Sequence, residues 1–548
     1  MIQFLASAAG RVSSTRLAIP LVLALAACAQ NPSAGGSAAP QSGPRFDISY
    51  RVAMPDPASH WYDVTIDVGR VTGDTVKLQL PVWSPGRYAK MDFAKNLQGL
   101  TVTAGNGQPL RWDKENGSLW RVATGGADKL RVRYRMFSNT LSGTFSVLDS
   151  AHANWNGASL FMYVENHKPD PVHLTIVPPA GWHIINGSAK QLDQTEYDFP
   201  NYDQLIDTPT EVAPTVTVDS FRVDGRLYRV AVHHNGPDNG QRARFVRDVE
   251  KIVRYENRVI APPPLDSYTF LFNIGYAGSD GMEHLYSTEI IDSRPWAEGM
   301  EVLSGIGTAA HEYFHTWNVK RMRPAALGPF DYTREQYQPS LWVAEGWTQY
   351  YGEMGLHRAG ITNRESTYQA VAGTIRAVTE TPGARETSAR MASFHAPFWD
   401  GAPQGQATAR NTVWISYYTK GAAIATVLDL MARGRSNNAK SMDDIARALK
   451  ARSWDQPNAS YYLQGRGYSE ADVEAAASEV MGMDMHPWFD RYVGGVELLP
   501  WDDALAMAGL KLVITGEGAA RAYTIEEKAD ATAAQKRVRE GWLEGRTG

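Results

Sequence analysis

The chain has 548 residues, of which 43% are hydrophobic and 21% are charged. This is the composition of a folded globular protein of about three or four domains. Its formal net charge of −5 gives no electrostatic support for a nucleic-acid partner. Cys28 is the only cysteine, which excludes a disulfide within the chain and a zinc site built from cysteines.

Residues 1–27 are predicted to be a signal peptide. They contain Arg11 and Arg16, no acidic residue, and an apolar run over residues 17–27 that is short for a membrane span. The segment ends in Leu-Ala-Ala before Cys28, and this resembles the lipobox of bacterial lipoproteins. The resemblance implies that Cys28 is acylated and anchors the chain to a bacterial membrane. Plain signal cleavage is the alternative, because residues 24–26 also form a small-x-small site.

Residues 28–44 are rich in Ser, Gly, Ala and Pro, and they are predicted to be a flexible tether between the lipid anchor and the folded body. Ala29 follows the cysteine, which by the same resemblance favours the outer membrane, facing the periplasm. A soluble periplasmic or secreted protein is the alternative.

Residues 45–222 are predicted to form an N-terminal β domain. Apolar and polar residues alternate along several segments, for example over residues 130–136, where every second residue is an arginine. A period of two with one solvated face predicts an antiparallel sandwich or saddle. No catalytic residue stands out in this part of the chain.

The pattern changes after about residue 225. A charged amphipathic helix is predicted over residues 245–259 and a strand over 268–272. Further helices are predicted over residues 302–320, 340–357, 362–379, 420–433, 441–451 and 469–480. The expected organisation is an α+β domain over 223–360, a helical region over 361–510 and a C-terminal tail over 511–548.

The strongest chemical signal is the segment His311-Glu312-Tyr313-Phe314-His315. Two histidines four residues apart lie on one face of a helix, where their ring nitrogens converge on one metal ion. Glu312 between them can take a proton from metal-activated water. A catalytic zinc needs a third protein ligand. Glu345 is the candidate, because it lies 30 residues after His315 among apolar residues, where an unpaired carboxylate would be costly.

The segments HEYFHTWNVKRMRP and LWVAEGWTQYYG together resemble the M61 glycyl aminopeptidase family of zinc peptidases, which belongs to the gluzincins and is related to the M1 aminopeptidases. The resemblance covers about residues 45–510. It implies a multidomain α+β fold with a β-rich N-terminal domain, a thermolysin-like catalytic domain and a helical C-terminal region. It also implies one Zn²⁺ per chain on His311, His315 and Glu345, with Glu312 as the general base.

Two further motifs resemble segments that contact the substrate in M1 enzymes. Gly281-Met282-Glu283-His284 resembles the Gly-x-Met-Glu-Asn segment of M1 enzymes, in which the Glu binds the free α-ammonium of the substrate. The resemblance implies that Gly281, Met282 and Glu283 bind substrate. The fifth position here is His284, so the contacts made by that Asn are not carried over. An acidic turn without function is the alternative for Glu283.

The second motif, Tyr418-Thr419-Lys420-Gly421, resembles the Tyr-x-Lys-Gly segment whose Tyr stabilises the oxyanion in M1 enzymes. The resemblance selects Tyr418, with Tyr417 as the neighbour that could be confused with it. The basic run over residues 320–323 is interpreted as a solvated helix end rather than a site for a peptide carboxylate. Only 38 residues follow Leu510, so the PDZ domain that many family members carry is not expected.

The sequence therefore predicts a zinc aminopeptidase that acts on peptides, with a preference for Gly or Ala at the first position implied by the resemblance alone. A zinc endopeptidase with an open cleft, in which Glu283 is structural, is the nearest alternative. A non-catalytic peptide-binding surface lipoprotein is the alternative from another class. Oligomeric state is not predicted.

Overall fold

A computed structural model describes residues 44–188, 191–399, 414–458, 461 and 464–547. The predicted signal peptide, Cys28 and nearly all of the tether lie outside the described residues. Among the helices of the described residues, none is both long enough and apolar enough to cross a membrane.

The N-terminal part is built from three sheets. The six-stranded sheet shows the expected alternation, with every second residue buried along Trp61–Gly69 and Lys129–Phe137. Its pairs are antiparallel except for one parallel pair between Asp47–Ala53 and Val172–Val177. In spatial order, the described strands of this six-stranded sheet are Glu196–Phe199, Val172–Val177, Asp47–Ala53, Trp61–Gly69, Lys129–Phe137 and Leu97–Ala104. Those of the second sheet are Tyr163–Val164, Thr75–Gln79, Leu119–Ala123 and Trp112–Lys114. The third sheet, here called the bridging sheet, consists of His183–Asn186, Thr210–Ala213, Ala153–Trp155 and Ser146–Leu148.

A mixed sheet follows, here called the catalytic sheet. Its three inner strands are parallel and its two outer strands are antiparallel to them. Two helices, Arg242–Val259 and Ile306–Phe314, cover one face through a buried aromatic and aliphatic core. The opposite face packs on the bridging sheet. In spatial order its described strands are Thr217–Val223, Arg226–His234, Ser267–Ile274, Ser287–Asp292 and Ser279–Glu283.

The rest of the described chain is mostly helical. Its helices, with those of the preceding parts, are Tyr202–Ile206, Arg242–Val259, Ile306–Phe314, Leu341–Ala344, Gly346–Arg358, Arg364–Glu380, Ala389–Phe394, Ala396–Trp399, Tyr417–Arg435, Met442–Arg452, Glu470–Met481, His486–Phe489, Trp501–Met507 and Ala533–Glu544. The helix expected over residues 302–320 is shorter. It ends at Phe314. Over residues 316–322 the backbone N–H groups donate three, four or five residues back, so the regular α-helical pattern is not continued.

The segment expected to be a C-terminal tail is folded. It forms a hairpin of Leu510–Thr515 with Ala522–Glu527, followed by the helix Ala533–Glu544. Trp542 and Leu543 of that helix are fully buried. Burial of two large apolar side chains accounts for the packing of this segment onto the helical region.

Two helices that carry site residues cross backbone to backbone. These are Gly346–Arg358, here the glutamate helix, and Tyr417–Arg435, here the tyrosine helix. A Cβ atom placed at Gly421 would lie 2.1 Å from the carbonyl oxygen of Trp342 and 2.7 Å from the Cα of Gly346. Only glycine permits this approach. The contact holds Glu345 and Tyr418 near one another, since each lies within one helical turn of the crossing.

Candidate active site

The three predicted metal ligands converge at one point. His311 lies in the last turn of the helix Ile306–Phe314, and His315 is the residue that follows it. Glu345 lies between the helix Leu341–Ala344 and the glutamate helix. The Nε2 atoms of the two histidines are 3.1 Å apart, and Glu345 Oε2 lies 3.4 Å from His311 Nε2 and 3.3 Å from His315 Nε2. Two imidazoles and one carboxylate at these separations form a donor set suited to zinc.

Neighbouring groups orient two of these ligands. His315 Nδ1 contacts the backbone carbonyl of Asn318, so Nδ1 carries the proton and Nε2 keeps its lone pair for a metal. The side chain of Asn318 donates to the carbonyl oxygens of Val343 and Ala344 at 2.8 and 3.2 Å, which ties this turn to the segment before Glu345. Asn318 is a positioning residue that the sequence analysis did not identify.

The β-rich part of the chain contributes directly to the site. The hydroxyl of Tyr88 donates to Glu345 Oε1, leaving Oε2 toward the two histidines. Arg87 pairs at 2.5 Å with Asp280 Oδ1, and Asp280 belongs to the same strand as Glu283. Sequence reasoning missed both residues, because they stand in an irregular segment between strands and match no local pattern. This domain, in which no catalytic residue stands out from the sequence, therefore supplies positioning contacts to the site.

Glu312 lies beside the metal ligands with its side chain buried. Burial raises its pKa; the opposing effect of His315 is outweighed by burial together with Glu283 and Glu345. Its Oε2 atom is buried and has no hydrogen-bond partner among the described residues. A divalent cation on the neighbouring ligands would oppose the rise in pKa and restore the carboxylate.

Glu283 ends the outer strand Ser279–Glu283 and is buried next to the metal ligands. Carboxylate and imidazole atoms of Glu283, Glu312 and His315 lie within 4.8 Å of one another. Gly281 closes the cavity on the same side, since a Cβ there would meet Glu312 Oε1 at 2.2 Å. Met282 was expected to contact substrate, but its side chain is fully buried and does not line the cavity.

Tyr418, rather than its neighbour, faces the metal ligands. The tyrosine helix begins at Tyr417, and the side chain of Ser416 caps it by accepting from the N–H of Tyr418. The Tyr418 ring stacks on the His311 ring at 5.9 Å, whereas Tyr417 is fully buried. Lys420 of the same motif is structural, because it donates to the carbonyl of Ala384 at 2.9 Å, and burial lowers its pKa to about 8.

The three metal ligands, Glu283, Glu312 and Tyr418 line one cavity of about 350 Å³. Its wall contains five carboxyl groups, and the arginine in its lining is the one paired with Asp280. A pocket with this charge favours a cationic ligand group. The residues that line it are Gly86, Arg87, Asp280, Gly281, Glu283, Gly307, Thr308, His311, Glu312, His315, Glu345, Gln349, Gly352, Glu353, Leu356 and Tyr418.

One other segment differs from its sequence interpretation. The basic run over residues 320–323 is buried, not a solvated helix end. Lys320 donates to Asp207 Oδ1 at 2.8 Å, and His284 Nδ1 lies 3.0 Å from the same oxygen. His284, which replaces the Asn of the M1 motif, thus joins the strand of Glu283 to the β-rich part through Asp207.

Comparisons with known proteins identify the family of this chain. The family model "Peptidase M61 N-terminal domain" matches residues 49–214, and "M61 glycyl aminopeptidase" matches residues 304–424. Together the two models match just over half of the chain. No curated protein sequence gives a significant match.

One solved structure resembles most of the described fold. A crystal structure of an aminopeptidase N family protein from Idiomarina loihiensis is 26% identical, with a TM-score of 0.76 over 85% of this chain and 79% of that one. An M1 zinc metallopeptidase from Deinococcus radiodurans is 14% identical, with a TM-score of 0.48 over 83% of this chain and 94% of that one. The chain therefore belongs to the M61 glycyl aminopeptidase family, and it is a metallo-aminopeptidase.

Proposed function

We propose that this protein is a zinc aminopeptidase that removes Gly or Ala from the free N-terminus of peptides. The observation that carries the proposal is the buried carboxylate of Glu283, which lies with Glu312 and His315 inside 4.8 Å, next to the ligand set. A fixed anion beside the metal selects substrates that bring a positive charge to the scissile bond. The Gly or Ala preference rests on family membership.

The residues present fit zinc. His311 and His315 offer neutral imidazole nitrogens, Glu345 offers one oxygen, and the second oxygen of Glu345 is already satisfied by Tyr88. When bound, zinc would supply Lewis-acid chemistry that activates water and polarises the scissile carbonyl.

Residues of the chain would position the substrate, transfer the protons and stabilise the oxyanion. Glu283 holds the α-ammonium of the first residue and so sets the distance from the N-terminus to the cleaved bond. Glu312 accepts a proton from the attacking water and returns one to the leaving amine. Tyr418 donates a hydrogen bond from its phenolic hydroxyl to the developing oxyanion.

The first experiment measures turnover of matched Gly- and Ala-peptides with free or acetylated N-termini. Cleavage of the free forms alone supports an aminopeptidase, whereas equal cleavage of both forms favours the endopeptidase. Zinc binding and tight peptide binding without cleavage would favour the non-catalytic lipoprotein.

Glu312→Gln tests the general base. We expect the variant to keep its zinc and to lose a factor of about 100 to 10,000 in kcat, since general acid–base catalysis typically contributes that much. Full activity would contradict the assignment. Glu256→Gln is the matched control, because burial raises the pKa of Glu256 well above its usual value and a protonated carboxyl tolerates an amide. Glu256 does not line the cavity.

Glu283→Gln tests the amine anchor. A hydrogen bond between charged groups contributes about 1.5 to 3 kcal/mol, so the preference for free over acetylated N-termini should fall by about 10- to 150-fold. A variant that keeps the full preference would show that Glu283 has a structural role only.

We also propose that Cys28 is acylated and anchors the protein to the outer membrane, on the periplasmic side. Its support is the sequence that precedes Cys28. Metabolic labelling with a fatty acid should mark the wild-type protein and not Cys28→Ser. Labelling of neither would favour plain signal cleavage.

A further inference from the structure

A second cluster of metal-ligating side chains lies outside the active-site cavity. It consists of His152, Glu211 and His233, all of them buried. One ligand atom from each lies within 4.8 Å of the other two. Glu211 belongs to the bridging sheet and His152 immediately precedes one of its strands, whereas His233 belongs to the catalytic sheet. The cluster therefore spans the two sheets.

The side chains are oriented as metal ligands would be. Tyr276 Oη lies 2.9 Å from His233 Nε2, which leaves His233 Nδ1 facing Glu211 Oε1 at 3.2 Å. This pair does not meet hydrogen-bond geometry, and neither atom has another partner among the described residues. Asn154 donates to the other oxygen of Glu211 at 3.0 Å. Hydrogen bonds on the far side of a ligating imidazole or carboxylate are the usual support of a metal site.

His152 supplies the observation that points most directly to a ligand. Its side chain is 2% exposed, its ring lies 4.8 Å from that of His233, and its Nε2 atom has no hydrogen-bond partner among the described residues. Its Nδ1 atom is 3.6 Å from Asp149 Oδ1. A buried imidazole nitrogen without a partner is costly, and a metal ion removes that cost.

We propose that His152, Glu211 and His233 bind a second divalent transition-metal ion, of the zinc type, that clamps the bridging sheet to the catalytic sheet. Two imidazole nitrogens and one carboxylate oxygen are ligands that Zn²⁺ accepts, with a fourth position for water. Glu289 of the catalytic sheet adds a buried carboxyl group nearby; burial and the charge of Glu211 raise its pKa. A cation bound between the two sheets would stabilise the ionised forms of Glu211 and Glu289.

The proposed metal ion would affect the active site indirectly, through the β-rich part of the chain. Ile185 of the bridging sheet packs on Ala231 and Leu271 of the catalytic sheet, so these two sheets share a small apolar contact beside the cluster. The same β-rich part brings Tyr88 to Glu345. A metal that fixes this junction would stabilise the arrangement in which the active site is complete.

The test counts metal ions in the purified full-length protein after loading with zinc and removal of free metal. We expect about two ions per chain in the wild type. The variant His311→Ala/His315→Ala should retain one, and its cobalt-substituted form should still show the visible absorption of a bound cobalt ion. One ion in the wild type and none in that variant would overturn the proposal and leave a protonated histidine as the partner of Glu211.

The complementary variant is His152→Ala/His233→Ala, which should lose one ion and keep the other. Should it fail to fold, Glu211→Gln replaces it, with the same expected loss of one ion. His173→Ala is the control for adventitious surface binding, because the side chain of His173 is 38% exposed and lies 2.8 Å from Asp198. If His173→Ala loses the second ion and the cluster variants keep it, the proposal is wrong.

Discussion

Replacing Tyr88 by Phe tests whether the β-rich part of the chain tunes the metal centre. Tyr88 is 3% exposed and donates to Glu345 Oε1. Burial and the neighbouring charge of Glu345 raise its pKa, so the hydroxyl remains a donor at every physiological pH. A hydrogen bond to a buried charged group contributes about 1.5 to 3 kcal/mol, which corresponds to zinc binding that is about 10- to 150-fold weaker in Tyr88→Phe.

The assay is competition for zinc against a chelator of known affinity, with folding followed by circular dichroism. Tyr50→Phe is the matched control, because Tyr50 is equally buried and donates to the carbonyl of Met162 at 2.8 Å, within the β-rich core. We expect the control to lose about 1 kcal/mol of stability and no zinc affinity. Unchanged affinity in Tyr88→Phe, or an equal loss in Tyr50→Phe, would refute the reasoning.

Two further predictions concern the scaffold. Gly421→Ala puts a Cβ atom into the backbone of the neighbouring segment and should lower the free energy of unfolding by about 1 to 3 kcal/mol or more. The control Gly373→Ala lies in open space on another helix and should be neutral or slightly stabilising. Equal melting temperatures of the two variants would contradict this prediction. Burial would raise the pKa of Asp207, but Lys320 and His284 outweigh burial and lower it. The ionised form therefore contributes stability above the unfolded-state pKa of about 3.9, which is lost as the pH falls through the lower folded-state value. Asp207→Asn should remove that part of the acid dependence of the unfolding free energy, and an unchanged acid slope would contradict the assignment.

The sequence predicted those parts of the site that follow from local spacing. His311, Glu312 and His315 lie within five residues of one another, so helix geometry alone brings them together. Glu345 was predicted from the cost of an unpaired carboxylate among apolar residues, and the structure places it within 3.4 Å of both histidines.

Contacts between distant segments could not be predicted in this way. Tyr88 is separated from Glu345 by 257 residues, and Asp207 from Lys320 by 113. Neither contact leaves a periodic trace, because each depends on how whole sheets and helices dock. The basic run that contains Lys320 was misinterpreted for the same reason, since the acid that neutralises it comes from another domain.

The glycine crossing of the glutamate and tyrosine helices has a consequence for changing specificity. Side chains at most helix contacts can be exchanged for others of similar volume, and the helices shift slightly to accommodate them. Here Gly346 and Gly421 leave no side chain to exchange, so the distance between Glu345 and Tyr418 is set by main-chain atoms. Libraries that aim at new substrates should keep both glycines and vary the opposite wall of the cavity.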